Sequence, residues 1–401
     1  MSAAATGALA GLRVVEMGSF IAGPFCGQLL ADQGAHVVKI EPPGTGDSMR
    51  QWGVVQREGK ALWWPVIARN KRSLTLDLRQ PEGTDIARAL LAEADVLIEN
   101  FRPGTIERWG MAPDVLQAAN PRLIIARVSG FGQTGPYATR VGFGAIAEAM
   151  AGMRSLGGFP DQPPPRAGLS IGDSLAGMFT TIGVLSALNA RHASGRGQVV
   201  DVGITDAVLG VMESVFAEHS ATGAVRRRTG TGLPGIAPSN LYPTADGQWV
   251  LVAGNGDAIF RRLAELMGQP ELAADSRYAT HRARGERQAE LDAIVAAWTK
   301  TLPLADLLEG LDAAGVPAGP VAGIDDAAAN PHFQARGALV EVETEDYGAL
   351  TMQAVVPRLS ETPGAVRWVG PRLGEHTEEV LREGLGLDAA AIEALRARGV
   401  V

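Results

Sequence analysis

The stretch GLSIGDSLAGM, residues 168–178, holds one carboxylate, Asp173, among small and apolar residues that precede a longer apolar run. Asp is a favourable helix N-cap worth about 1 kcal/mol, because its side chain accepts a hydrogen bond from a backbone N–H two or three residues later. Partial positive charge at a helix start also favours an ionised carboxylate, which beside an electrophilic acyl group is a nucleophile. Gly172 and Gly177 would let a large substrate approach the backbone closely. The residues alone favour the cap and leave the nucleophile as the alternative.

Basic residues cluster at the ends of predicted strands. They are Lys39, Lys71, Arg72, Arg79, Arg102 and Arg108. In a doubly wound sheet the carboxyl ends of the strands line the ligand crevice, so a cationic set there could hold a phosphorylated cofactor. Charge on a solvated surface is the other interpretation, and composition alone favours it.

Two patterns that could indicate a dinucleotide site are incomplete. A G-x-G-x-x-G pattern begins at Gly130, but Pro136 follows it and the next stretch, GFGAIAEAMAGM, has no strand pattern. Glu41 closes a predicted strand as a ribose-binding acid would, but the turn GSFIAG lacks the glycine spacing that a pyrophosphate needs. A nicotinamide dehydrogenase is therefore disfavoured. The six histidines are scattered without ligand spacing, so we expect no metal site.

Composition limits the partners and the compartment. The formal net charge is −8, whereas nucleic-acid-binding and membrane-surface proteins usually carry a basic excess. We therefore expect neither nucleic acid nor a membrane as a partner. Cys26 is the single cysteine, which fits a reducing cytoplasm. The N-terminus has no basic start and no long apolar region, unlike a signal peptide. The apolar run from Ser174 to Ala190 is shorter than the about 20 residues that a bilayer span needs, and we predict a buried helix there.

Strands and helices alternate through the first half of the chain. LRVVEMG, FIAGPFCGQLLADQG and HVVKIEPPG read as strand, helix and strand, and SLTLDL, DVLIEN and RLIIARVSG continue the series of strands. Apolar strands separated by helices predict a doubly wound α/β domain. The basic, Gly/Pro-rich GAVRRRTGTGLPGIAPSN then suggests a linker or mobile loop, followed by a second domain over about residues 225–325. Near the end, Asp388 is a predicted N-cap.

Taken together, these stretches resemble the class III coenzyme A transferases, the family of formyl-CoA transferase, carnitine CoA-transferase and α-methylacyl-CoA racemase. The matching motifs, in the family's order, are GLRVVEMGSFIAGPFCGQLLADQGAHVVKIEPPGTGD, RNKRSLTLDL, ENFRPGTIERWGM, NPRLIIARVSGFGQTGP, IGDSLAG, GRGQVVDVGITDAVL, AGVPAGPV and LGEHTEEVL. Any one motif is weak. The ordered set covers nearly the whole chain and is specific.

The resemblance implies an architecture and a mechanism. It implies a Rossmann-like, CoA-binding large domain over 1–224, a smaller α+β domain over 225–325, a return to the large domain over 326–401, and a homodimer of interlocked subunits. In this family the carboxylate that aligns with Asp173 attacks an acyl-CoA thioester to give an aspartyl anhydride. An aspartyl-CoA thioester follows, and CoA then passes to a second acid without ATP or metal.

The resemblance also implies which residues bind coenzyme A. The positions that match the family's CoA contacts are Ile21, Ala22, Leu76, Arg79, Asn100, Phe101 and Arg102, with Arg108 and Arg140 at phosphates. Gly230 and Gly232, in TGTGLPG, fall where formyl-CoA transferase has a mobile glycine loop that covers its active site. Such a loop would shield an anhydride from water. Leu233 and Pro234 interrupt it here, which leaves its mobility open.

Several positions depart from the family's patterns. Phe143 stands where racemases carry an acid/base histidine, which disfavours racemisation. Gly144 follows it where many transferases carry Asp or Glu, so we expect no auxiliary carboxylate. Pro42 replaces a basic CoA contact of formyl-CoA transferase, which disfavours formyl-CoA and oxalate as substrates.

We therefore predict an enzyme that transfers CoA between an acyl-CoA and a free organic acid, with a small dicarboxylate such as succinate among the expected partners. The alternatives are an acyl-CoA racemase or epimerase, and a non-catalytic CoA-binding subunit that needs a paralogous partner.

Overall fold

A parallel β-sheet is the frame that positions the candidate site. The computed structural model describes residues 7–401. Its strands are β1 (Arg13–Met17), β2 (His36–Glu41), β3 (Gln56–Arg57), β4 (Lys60–Ala61), β5 (Lys71–Thr75), β6 (Val96–Glu99), β7 (Ile124–Ser129), β8 (Val199–Gly203), β9 (Ser239–Pro243), β10 (Trp249–Ala253), β11 (Ala318–Pro320), β12 (Leu339–Thr344) and β13 (Gly348–Gln353).

Helices connect and cover these strands. They are α1 (Ala22–Asp32), α2 (Trp64–Ile67), α3 (Pro81–Ala92), α4 (Thr105–Arg108), α5 (Pro113–Ala119), α6 (Gly144–Met150), α7 (Ile171–Ser194), α8 (Ile204–Leu209), α9 (Val215–Thr222), α10 (Asp257–Leu266), α11 (His281–Glu286), α12 (Gln288–Thr299), α13 (Leu304–Ala313), α14 (Ile324–Ala329), α15 (Pro331–Ala335), α16 (Thr377–Leu385) and α17 (Ala389–Ala397).

The large sheet has six parallel strands in the order β5-β2-β1-β6-β7-β8. Alternate side chains face opposite sides: Val15 and Leu97 pack in a cluster with α3, α5, α16 and α17, whereas Val14 and Ile98 pack with α1 and α7. Both faces are thus covered, which explains why the strands are almost continuously apolar. The predicted α/β fold with a parallel sheet is confirmed.

Two predicted elements are shifted or differently exposed. The strand predicted over 73–78 lies at Lys71–Thr75, because its neighbour β2 ends at Glu41, which pairs with Thr75. The predicted buried helix is present as α7, but only 33% of its apolar stretch is buried. By length and composition alone α7 could also cross a membrane. Hydropathy does not distinguish an apolar face that the chain covers from one that it leaves open.

Packing divides the chain into two units. The first comprises residues 7–153, Arg166–Ala217 and Gln334–Val401, and the second comprises Arg154–Pro165 and Glu218–Phe333. The first unit contains the parallel sheet. The domain boundaries inferred from the sequence remain a prediction.

The second unit has its own core. Its antiparallel sheet has the order β11-β10-β9, and Val250 and Val252 of β10 pack with Leu263 of α10 and Leu291 of α12. The sequence segments GQWVLVAG, DAIFRRLAELMG and RQAELDAIVAAWTKTL, whose patterns predict one strand and two amphipathic helices, form β10, α10 and α12, so these three elements are confirmed.

Candidate active site

Asp173 lies in the first turn of α7 as its third residue, and Ser170 occupies the N-cap position. The prediction that Asp173 is the N-cap is therefore wrong, since Ile171 and Gly172 already have helical conformation. By contrast, the predicted cap Asp388 is confirmed, because its side chain accepts a hydrogen bond of 2.8 Å from the backbone N–H of Ala391.

A neighbouring helix, α6, supplies the hydrogen-bond acceptor that an N-cap side chain would otherwise provide for the first turn of α7. The side chain of Ser170 makes no capping hydrogen bond. Instead, the backbone N–H of Gly172 donates to Oε1 of Glu148 at 3.2 Å. Glu148 is 2% exposed, so a buried carboxylate stabilises the first turn of α7 at its positively charged end.

The same helix α6 contacts the Asp173 carboxylate itself. The backbone N–H of Gly144, at the start of α6, donates a hydrogen bond to it. Asp173 is so close that a β-carbon at position 144 would lie 2.7 Å from its Cγ. Only glycine leaves room for this arrangement.

Burial and a neighbouring negative charge make Asp173 a weaker acid than an ordinary aspartate. Burial is the largest cause and the negative charge of Glu148 is the next, and together they raise its pKa to about 6. The Arg166 guanidinium and the hydrogen bond from Gly144 oppose them and lower the pKa. The expectation that the helix start simply favours ionisation is thus outweighed by desolvation and by a second carboxylate. The Asp173 carboxylate is more basic than that of an ordinary aspartate, yet it is mostly ionised at neutral pH.

The prediction of no auxiliary carboxylate is also wrong. Glu148 is a buried acid beside Asp173, although position 144 is glycine. Residues four apart on a helix share a face, so Glu148 lies on the same face of α6 as Gly144. A helix predicted over α6 would have indicated from the sequence that Glu148 lies on the same face as Gly144.

Asp173 lines a cavity of about 270 Å³ at the carboxyl ends of the central strands. Its other lining residues are Ser19, Phe20, Ala22, Asn100, Phe101, Arg102, Pro103, Val128, Ser129, Gly130, Arg140, Val141, Gly142, Phe143 and Ile204. This is where ligands bind in open α/β sheets.

The loop after β1 is held in place by Asn100. The Asn100 side chain accepts a hydrogen bond from the Ser19 N–H at 2.9 Å and donates one to the Ser19 carbonyl at 2.7 Å. Phe20 has a left-handed backbone with φ of 66°, and its N–H donates to Oδ1 of Asp47. Its ring meets the ring of Phe143 edge-on at 6.0 Å. These contacts fix an aromatic wall of the cavity.

A buried ionic network lies beneath this loop. Nζ of Lys39 is 2.9 Å from both Glu16 and Asp47, and Nζ of Lys71 is 2.7 Å from Glu16. Lys39 also donates to the Gly18 carbonyl at 2.8 Å. The two lysines, predicted among the strand-end cations, are therefore buried structural groups.

The structure brings five of the predicted CoA-contacting residues to the cavity and leaves four elsewhere. Those that line it are Ala22, Asn100, Phe101, Arg102 and Arg140. Those that lie elsewhere are Ile21, Leu76, Arg79 and Arg108. Ile21 lines a neighbouring apolar cavity, and Leu76 lies in the core. Arg79 is exposed and paired with Asp77, and Arg108 donates to the Thr105 hydroxyl.

Gly230 and Gly232 lie in the second unit. Gly230 has φ of 79°, and its N–H donates to the Gly158 carbonyl at 3.0 Å. Around Gly232, a side chain would crowd the amides of Asn240 and Gln288. Local conformation and packing thus favour glycine at both positions.

The chain is similar to several known proteins over nearly its whole length. A family model described as CoA-transferase family III matches residues 9–377. The chain is 55% identical over 390 residues, 97% of each chain, to the succinyl-CoA--D-citramalate CoA-transferase of Chloroflexus aurantiacus. It is 43% identical over 396 residues, 98% of each chain, to the succinyl-CoA--L-malate CoA-transferase beta subunit of the same organism. A solved CAIB/BAIF family protein from Brucella suis matches with a TM-score of 0.82 and 37% identity, over 94% of this chain and 100% of that one.

Proposed function

The chain belongs to CoA-transferase family III, and from this we propose that it moves CoA from succinyl-CoA, or another dicarboxylyl-CoA, to a free carboxylic acid through covalent intermediates on Asp173. The observation that carries the proposal is the half-buried Asp173 carboxylate, which lines a cavity at the carboxyl ends of the strands and has a pKa raised to about 6. The names of the two relatives support the donor class, because both name succinyl-CoA.

The first half of the reaction loads CoA onto the enzyme. An Asp173 carboxylate oxygen attacks the thioester carbonyl, the C–S bond breaks, and CoA leaves as thiolate from a mixed anhydride. The thiolate then attacks the Asp173 carbonyl of the anhydride, which releases the donor acid as carboxylate and leaves an aspartyl-CoA thioester. No proton is gained or lost overall.

The second half mirrors the first. The acceptor carboxylate attacks the aspartyl thioester and displaces the CoA thiolate, which gives a second anhydride. The thiolate attacks the acceptor carbonyl, so the acceptor leaves as its CoA thioester and the Asp173 carboxylate is regenerated. Each step exchanges one activated acyl group for another, and an environment that excludes water protects the anhydrides.

For CoA we propose the lining residues Ala22, Asn100, Phe101, Arg102 and Arg140. Arg102 and Arg140 are exposed cations that suit phosphate groups. The Arg140 guanidinium lies 3.8 Å from the ring centroid of Tyr137, which limits its rotation. The Asn100 side chain already holds Ser19, so it shapes the site through the backbone of that loop.

We further propose an interlocked homodimer in the cytoplasm. The apolar side chains of Met178, Ile182 and Leu185 on α7 are exposed in the single chain, and a second copy would cover them. The similarity to a protein named as a beta subunit favours one alternative, a chain that works only with a paralogous partner. Transfer activity of the purified single chain decides between the two.

The test is a matrix of CoA thioesters and carboxylic acids, analysed by mass spectrometry, for the wild type and for Asp173→Ala. We expect exchange by the wild type alone. Hydroxylamine added after succinyl-CoA should convert Asp173 to a hydroxamate in the corresponding peptide. Asp388→Ala, which removes a true N-cap, should keep full activity. Exchange that survives in Asp173→Ala would refute the covalent mechanism.

A further inference from the structure

Ser129, the last residue of β7, carries a buried hydroxyl that has no hydrogen-bond partner among residues 7–401. The residue is 7% exposed and lines the same cavity as Asp173. A buried polar group without a partner costs about 1 to 3 kcal/mol, and such groups are rare in folded proteins. A ligand in the cavity would supply the missing partner.

Among the other polar side chains of this cavity, the Ser19 hydroxyl is only partly buried, and the rest have identifiable partners or suit charged groups. Asn100 is bonded through both its oxygen and its nitrogen to the backbone of Ser19. Arg102 and Arg140 are exposed cations, which suit phosphates rather than neutral groups. Asp173 is the nucleophile of the proposed function. Ser129 therefore offers a neutral and buried hydroxyl with free donor and acceptor capacity.

CoA has three chemically distinct parts: an anionic nucleotide, a reactive sulfur, and between them a neutral pantetheine arm with two amide groups. We propose that the Ser129 hydroxyl forms a hydrogen bond with an amide of the pantetheine arm. The inference rests on the proposed function, because it assumes that CoA occupies this cavity. Ser129 ends β7, and β7 pairs with β6, the strand that Phe101 and Arg102 follow in the chain. The Ser129 hydroxyl is therefore suitably placed to bind the neutral arm when the arginines of the cavity bind the phosphates.

The experiment compares calorimetric titrations of the full-length wild type and Ser129→Ala with two ligands, CoA and 3′,5′-ADP, which lacks the arm. We expect the Kd of CoA to rise about tenfold in Ser129→Ala, as for loss of one hydrogen bond to a buried group. The Kd of 3′,5′-ADP should stay unchanged. The control is Ser174→Ala on α7, whose residue lines the neighbouring cavity and should leave both affinities unchanged.

Stability provides a second readout. Without ligand, Ser129→Ala should melt no lower than the wild type, because the substitution removes an unpaired polar group. A lower melting temperature, or an equal loss of affinity for both ligands, would assign Ser129 a structural role and overturn the inference. An unchanged Kd of CoA would overturn it as well. If the wild type itself failed to bind CoA, the proposed function would fail together with it.

Discussion

The backbone N–H of Gly144 donates a hydrogen bond to the carboxylate of Asp173, and the two groups are so close that a β-carbon at position 144 would overlap this carboxylate. Gly144 is the first residue of α6, and Asp173 lies in the first turn of α7. Packing of these helices, rather than the sequence near Asp173, therefore sets the position of the proposed nucleophile.

Gly144→Ala should displace the Asp173 carboxylate and lower kcat by about 100-fold, the typical effect of a small misplacement of a reacting group. The β-carbon would overlap the carboxylate, so the loss should be in kcat rather than in the affinity for CoA. The control is Gly319→Ala, where a β-carbon meets nothing within 4 Å. Near-normal kcat in Gly144→Ala would show that the close approach has no catalytic consequence.

The pH profile of kcat/KM should report the ionisation of Asp173, because the proposed nucleophile must be ionised to attack the thioester. With a pKa of about 6, the activity of the wild type should fall as the pH drops below about 6. Glu148→Gln removes the negative charge that raises this pKa, and its amide oxygen can still accept from Gly172. The acidic limb should therefore move to lower pH.

Arg166→Gln is the opposite variant. The guanidinium lowers the pKa of Asp173, so its removal should move the acidic limb to higher pH. Initial rates of CoA transfer from succinyl-CoA, measured across the pH range, check both directions. Shifts of the same sign in Glu148→Gln and Arg166→Gln would contradict the electrostatic account.

Asp173→Asn should stabilise the protein at high pH. The pKa of this carboxyl is raised from 3.8 to about 6 in the folded state, so folding favours its protonated form. Ionisation therefore costs stability as the pH rises through this interval, by about 2 to 3 kcal/mol above pH 6. Asn is neutral and still accepts from Gly144. Scanning calorimetry should show a higher melting temperature than the wild type at about pH 8, with the difference shrinking toward pH 4. At a true N-cap, where Asn and Asp are about equally favourable, the same substitution would leave the melting temperature nearly unchanged across this pH range.

The elements that could be predicted are those whose signal is local. Apolar runs indicated β1 and β2, and an isolated carboxylate among small residues indicated Asp173. The exact helix start could not be predicted, because Glu148 from another helix takes over the capping of α7. Ser129 was missed for the same reason, since its relation to Asp173 exists only once β7 and α7 are packed. Arg166 was missed because it lies in the loop before α7, where no periodic pattern predicts its position.

Lys39→Met should destabilise the first unit and distort the cavity. Nζ of Lys39 lies between Glu16 and Asp47 with both partners buried, so its removal leaves uncompensated buried charge at a cost of about 3 to 5 kcal/mol. Lys60→Met is the matched control, because Lys60 pairs with Asp346 at a partly exposed site and should cost less than about 1 kcal/mol. Equal unfolding free energies for the two variants in urea would contradict the structural role of Lys39.

Ile182→Glu should disrupt the proposed homodimer. Ile182 is 56% exposed on the apolar face of α7, and a charge there would be buried without a partner once a second copy covers the face. We expect the wild type to elute as a dimer in light-scattering chromatography without detergent, and Ile182→Glu to elute as a monomer or aggregate. Ala89→Glu, at an exposed position of α3, should remain dimeric. A wild-type monomer with full transfer activity would show that this face needs no second copy.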